Sequence, residues 1–158
     1  MKVLVCALLL AACSSPTRPD ESQSLTVTRL QSGELSFSYY SGITESRRLV
    51  VRDQAAWQQV WNDIYKFTFP APALPAVDFT REMVIVAALG QRPTGGFSIF
   101  IDGATETANG VTINVRSVSP GAGCAVTLAL TNPVDIARVS RRDGTVAFAE
   151  TSATQNCN

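Results

Sequence analysis

Apolar residues recur along this chain at two spacings. Between Asp53 and Tyr65 they fall at Trp57, Val60, Trp61 and Ile64, the i, i+3, i+4, i+7 series of one helix face, with Gln58, Asn62 and Asp63 opposite. Asp53 stands where an N-cap side chain would accept an orphan backbone N–H, and Pro70, Pro72 and Pro75 forbid continuation. The pattern predicts a surface helix with a buried tryptophan face, then an extended connector. Two tryptophans one turn apart also suit a carbohydrate platform, but an aromatic stripe at helical spacing reads first as core. Elsewhere the period is two. Leu35, Phe37 and Tyr39, then Phe97, Ile99 and Ile101, then Val111, Ile113 and Val115, and finally Val126, Leu128 and Leu130 alternate with small or polar residues, each predicting a strand with one buried face. Met83 to Leu89 is apolar without alternation, which predicts a central strand covered on both faces. Asp143-Gly144, between Ile136 to Val139 and Val146 to Phe148, has the composition of a tight hairpin turn and predicts an antiparallel C-terminal pair. The fold class expected is α+β and β-rich: an antiparallel sheet curled into a sandwich or partial barrel, with one amphipathic helix packed on one side.

The N-terminal segment follows other rules. Lys2 precedes an unbroken apolar run that ends in Leu10-Ala11-Ala12-Cys13, the layout of a secretory signal. About ten apolar residues fall far short of the roughly 20 needed to span a bilayer. The Leu-Ala-Ala-Cys box resembles the bacterial lipobox, in which the cysteine sulfur is acylated and becomes the mature N-terminus. Residues 1–12 are therefore expected to be a signal peptide and Cys13 the lipidation site, with Ser14 after the cysteine favouring an outer membrane where there is one. From Ser14 to Ser24 the chain is polar and proline-containing, so residues 13–24 are expected to form a flexible tether. Residues 25–158 suffice for one domain.

Composition narrows the chemistry. Acidic and basic side chains balance at 13 each, with Arg47-Arg48 and Arg141-Arg142 as the basic doublets, so no nucleic-acid footprint is present. The sequence holds 0 histidines, which removes the usual general base for a serine or cysteine nucleophile and the commonest metal ligand. No enzyme activity, cofactor or metal is expected. Lys66 is the one lysine left after signal removal and has no serine motif beside it; Asp78 and Glu82 read as surface charges flanking Phe79 rather than an acid–base pair. Of the 4 cysteines, Cys6 leaves with the signal and Cys13 is acylated, so Cys124 and Cys157 remain to pair in an oxidising envelope.

Two loops stand out as candidate contact surfaces: Gly90-Gln91-Arg92-Pro93-Thr94-Gly95-Gly96-Phe97 and Pro120-Gly121-Ala122-Gly123-Cys124. Their glycines serve tight turns, and loops on a rigid sheet are also where recognition sits. Arg92, Pro93, Thr94, Gly95, Gly96, Gly121 and Gly123 are the candidate protein-binding residues, expected at one end of the sheet. Arg92 is foremost, because its planar guanidinium can pair with a carboxylate while Pro93 limits the entropy lost on binding.

The run Met83 to Gly90, then Arg92 to Ile99, then Pro120 to Thr127 and finally Thr131-Asn132-Pro133 resembles the C-terminal domain of the PrcB family, named for a lipoprotein subunit of a surface protease complex. The similarity spans about residues 83–139. Phe97 stands where a tyrosine is frequent, and Val134 where an aromatic usually follows the proline. The resemblance implies a non-catalytic envelope lipoprotein acting as a protein-binding or assembly module, held to the membrane by its lipid, with a secreted or surface protease as the candidate partner. A second reading is a loop-inserting protease inhibitor, since Arg92 to Phe97 faintly resembles the Asn-Pro-Thr-Thr-Gly loop of chagasin-like inhibitors, although the Arg-Pro-aromatic loop of that signature is missing.

Overall fold

The computed structural model describes residues 22–30 and 40–157. Within them eight strands and one helix follow in the order β1 (Gln23–Leu25), β2 (Thr28–Arg29), β3 (Arg47–Val51), α1 (Gln54–Ile64), β4 (Glu82–Ala88), β5 (Ser98–Thr107), β6 (Gly110–Pro120), β7 (Val134–Ser140) and β8 (Val146–Gln155). They form two stacked sheets, ordered β1-β5-β6-β8 and β2-β7-β4-β3. The result is a β-rich sandwich with one helix, and the sheets do not close into a barrel among the described residues.

Strand β4 shows why the stack has three layers. It lies between β3 and β7 in its sheet, and every residue from Met83 to Ala88 is fully buried. Met83, Ile85, Ala87 and Leu89 face the other sheet, where Ile99, Ile101, Val111, Ile113 and Val115 meet them. Val84, Val86 and Ala88 face the opposite way, onto Trp57, Trp61 and Ile64 of the helix. The continuous apolar run is thus two period-two patterns interleaved, one for each core. Fully burying each Val, Ile or Met side chain stabilises by about 1.5–3 kcal/mol.

The helix forms as its pattern predicts. Asp53, in extended backbone, accepts from the Ala56 N–H at 2.8 Å. The connector after it is tied to the same face: the indole N–H of Trp57 donates to the Pro75 carbonyl (3.0 Å) and that of Trp61 to the Pro72 carbonyl (2.9 Å). The tryptophans are core, and their polar edges hold down a segment that prolines have deprived of backbone donors.

Several expectations are corrected. Val126, Leu128 and Leu130 do not form a strand; Leu128 is 92% and Leu130 59% exposed. The strands on either side of it in the chain offer no ladder, because β6 is flanked by β5 and β8, and β7 by β2 and β4. Asp143-Gly144 is not a hairpin turn. Neither residue has positive φ, and β7 and β8 belong to different sheets, with β8 pairing in parallel with β6. The segment between them is a crossover held by arginines: Arg52 donates to the carbonyls of Arg142 (3.1 Å) and Gly144 (3.0 Å), and Arg142 grips Glu106 with two bonds of 2.6 Å. Gln23 and Ser24, placed in the tether by their composition, instead pair with Glu106 and Thr105 on the edge of β5. The proposed signal, Cys13 and the Leu35, Phe37, Tyr39 strand lie outside the described residues.

Candidate functional site

Strand directions place the two glycine-rich loops together. β4 and β5 are joined by residues 89–97, and β6 ends at Pro120, directly across the ladder from the start of β5, where Ser98 pairs with Val118. The chain comes into the fold at the other end, where Gln23 pairs with Glu106. A strand advances about 3.3 Å per residue, so the ten residues of β5 separate the two ends by roughly 30 Å.

The loop carrying Arg92 is sewn to residues 127–131. Arg92 and Thr131 exchange backbone hydrogen bonds of 2.7 and 3.0 Å, the Thr131 hydroxyl donates to the Thr94 carbonyl (2.9 Å), and Gly95 N–H donates to the Thr127 carbonyl (2.9 Å). Gly96 has φ of 84°, and a Cβ there would lie 2.9 Å from Val126 Cγ1 and 3.0 Å from Pro120 Cβ, so glycine is required twice over. Pro93 is exposed at the tip. The Arg92 side chain is half-buried: one terminal nitrogen donates to the Leu89 carbonyl (2.8 Å), the guanidinium carbon lies 5.9 Å from the Phe97 ring centroid, and Nε is buried without a partner among the described residues. Arg92, Phe97 and Leu89 line a depression of about 220 Å³ whose far wall is Ser117 and Ser119 of β6 and Ser152 of β8.

Gly121 and Gly123 serve a neighbouring joint. Gly121 N–H donates to the Gln155 carbonyl (2.8 Å), and a Cβ on Gly121 would come 2.8 Å from that oxygen, so only glycine permits the approach. Gly123 packs likewise beside Cys157, and Cys124 is joined to Cys157 by a disulfide with Cα atoms 4.9 Å apart. The bond fastens the chain beyond β8 to the turn beyond β6, at the same end as Arg92.

The remaining sequence candidates have structural occupations. Asp78 accepts from the Thr80 hydroxyl (2.6 Å) and Thr80 N–H (3.0 Å), which holds its carboxyl below the usual range, while Glu82 pairs with Arg138 at 3.3 Å. Sequence reasoning missed two things. Asp135, fully buried between the sheets, accepts from Ile101 N–H (2.7 Å), from Ile136 N–H (3.0 Å) and from Arg29 (3.2 Å), so one carboxylate clamps β5 to β7 and β2. An aspartate at an inward position between Val134 and Ile136 was the available signal. Large apolar side chains also stand exposed, namely Tyr40, Phe67, Phe69, Leu128 and Leu130. Tyr40 is bridged to Asn132 and Leu128 and Leu130 precede Thr131, so these flank the Arg92 loop.

Residues 83–140 match the PrcB C-terminal family, within one residue of the span the sequence motifs marked. No curated protein and no solved structure matches the chain.

Proposed function

From a chain whose residues 83–140 are a PrcB C-terminal segment, we propose an exported, lipid-anchored, non-catalytic accessory module that holds a protein partner at the loop end of its sandwich. A protease is the partner class to which the family points. The observation that carries the reading is the gathering of the Arg92 loop, the Gly121–Cys124 turn, the disulfide and the exposed Tyr40, Leu128 and Leu130 at the end opposite the Gln23 edge. A tether acylated at Cys13 leads into that far edge, so the loop end is turned away from the membrane. The assembly reading is favoured over a protease-inserting loop because residues 92–96 are bonded to residues 127–131 along their length rather than projecting.

The experiment combines anchor and partner. Intact-mass analysis of membrane-extracted protein should find acylated Cys13, and Cys13→Ser should move the chain to the soluble fraction with its melting point unchanged. Affinity purification after mild cross-linking should recover the same partner with both forms. A chain cut elsewhere removes the anchor, and recovery of no protein in stable stoichiometry removes the assembly role.

A further inference from the structure

A sandwich has four lateral edges, and unpaired edges recruit other strands unless something guards them. Three are guarded here by shortness or charge: β1 has 3 residues, β2 has 2, and β3 has 5 with Arg47 and Arg48 among them. The fourth, β8, is different. It runs for 10 residues without proline, lysine or arginine, and its one charge, Glu150, is occupied by Arg48 at 2.8 and 3.0 Å. From Ala149 to Gln155 every residue is exposed, on both faces.

The direction of its backbone groups follows from the bonds it makes. The carbonyls of Thr145 and Gln155 accept from Val111 and Gly121 N–H, and those of Thr151 and Ala153 lie within reach of the Ser117 and Ser119 hydroxyls. Odd-numbered residues therefore point their backbone groups at β6. By the alternation of a strand, Phe148, Glu150, Ser152 and Thr154 point theirs outward, where no described residue pairs with them. The side chain of Ser152 borders the depression that Arg92 also lines.

The geometry points to β8 as a docking edge: an extended segment of a protein partner adds as a fifth strand along Ala149–Gln155, with a carboxylate side chain turned in toward Arg92. This rests on the assembly reading and names its mode. Main-chain bonds supply the attachment and the Arg92 depression supplies the selectivity, since no acidic residue lines it among the described residues. A second copy of this chain fits less well. The one carboxylate of β8, Glu150, is held by Arg48, so a paired β8 would bring no free carboxylate to the Arg92 depression.

The test uses the mature chain and a fluorescein-labelled peptide of alternating threonine and valine with one central aspartate, alongside its asparagine twin, read by anisotropy. The aspartate peptide should bind, and the asparagine twin should bind about tenfold or more weakly. Ser152→Pro deletes one outward N–H while sparing the β6 ladder, and should abolish binding of both peptides with thermal unfolding little changed. Thr154→Pro reads the same edge should Ser152→Pro fail to fold. Arg92→Ala should erase the preference between the peptides and keep residual binding. Absence of binding to the wild-type chain, or binding indifferent to both prolines, overturns the proposal. A wild-type dimer that Ser152→Pro converts to monomer assigns the edge to a second copy and overturns it equally. A partner still cross-linked by the Ser152→Pro chain leaves the assembly reading standing and removes the edge alone.

Discussion

Replacing Asp135 by alanine should be among the most damaging single changes available in this domain. Its carboxylate is fully buried, and its loss strands the Ile101 N–H, which donates to it at 2.7 Å beside the irregularity between Ile101 and Gly103. An orphaned buried donor costs about 1–3 kcal/mol. Ile136 N–H loses a 3.0 Å acceptor as well, and Arg29 loses its counter-ion, although Arg29 is 44% exposed and can turn to water. With both backbone donors orphaned, the sum lies at about 2–6 kcal/mol. At roughly 3–5 °C per kcal/mol for a domain of this size, the melting point should fall by roughly 6–30 °C. Asp135→Asn keeps one acceptor oxygen and should cost less than half as much; Arg29→Ala should also cost less than Asp135→Ala, because both backbone donors stay satisfied. Urea and thermal unfolding of the four proteins measure this order. A loss below about 1 kcal/mol for Asp135→Ala would refute the clamp, since orphaning even one buried donor costs that much. An Arg29→Ala loss as large as that of Asp135→Ala would show that the ion pair, not the carboxylate–amide bonds, joins the sheets.

Two further outcomes are expected. Reduction of the Cys124–Cys157 bond, whose ends are 33 positions apart in the chain, should lower stability by roughly 3–4 kcal/mol on a chain-entropy basis, read as a shift in urea midpoint between oxidised and reduced protein; an unchanged midpoint would show that the C-terminal residues beyond β8 are held without it. Asp78 is held below the usual carboxylate range by Thr80, first through its hydroxyl and then its backbone N–H, and Glu106 by its bonds to Arg142. Folded values below the unfolded ones mean stability fully present above the ordinary carboxylate range and lost as pH falls through the lowered ones. The melting point should therefore decline below about pH 4, and an Asp78→Asn, Glu106→Gln double variant should decline less steeply.

Local pattern located what local physics decides. The helix was legible because Trp57, Trp61 and Ile64 share one face, and β4, β5 and β6 because their apolar residues match the cores they enter. What failed was partner choice. Val126 to Leu130 alternates as a strand should, but alternation carries no knowledge that both neighbouring ladders are full. Asp143-Gly144 has turn composition, yet whether β8 returns beside β7 or crosses to β6 depends on contacts with Arg52, Arg142 and Glu106 far away in the chain. Gln23 and Ser24 are paired through backbone atoms that composition does not register. At the candidate site, the sequence marked Arg92 and both loops, and the disulfide by elimination; the hydrogen bonds that fold residues 92–96 onto residues 127–131 are long-range and left no local trace.

The most direct test of the central claim compares the two ends of the sandwich in the envelope. A photo-reactive residue is placed at exposed Pro93, on the Arg92 loop, and separately at exposed Asn109, in the turn between β5 and β6 at the opposite end. A partner held at the loop end predicts one discrete cross-linked species from position 93, absent from position 109. Equal cross-linking from both positions, or a species from position 109 alone, would contradict it.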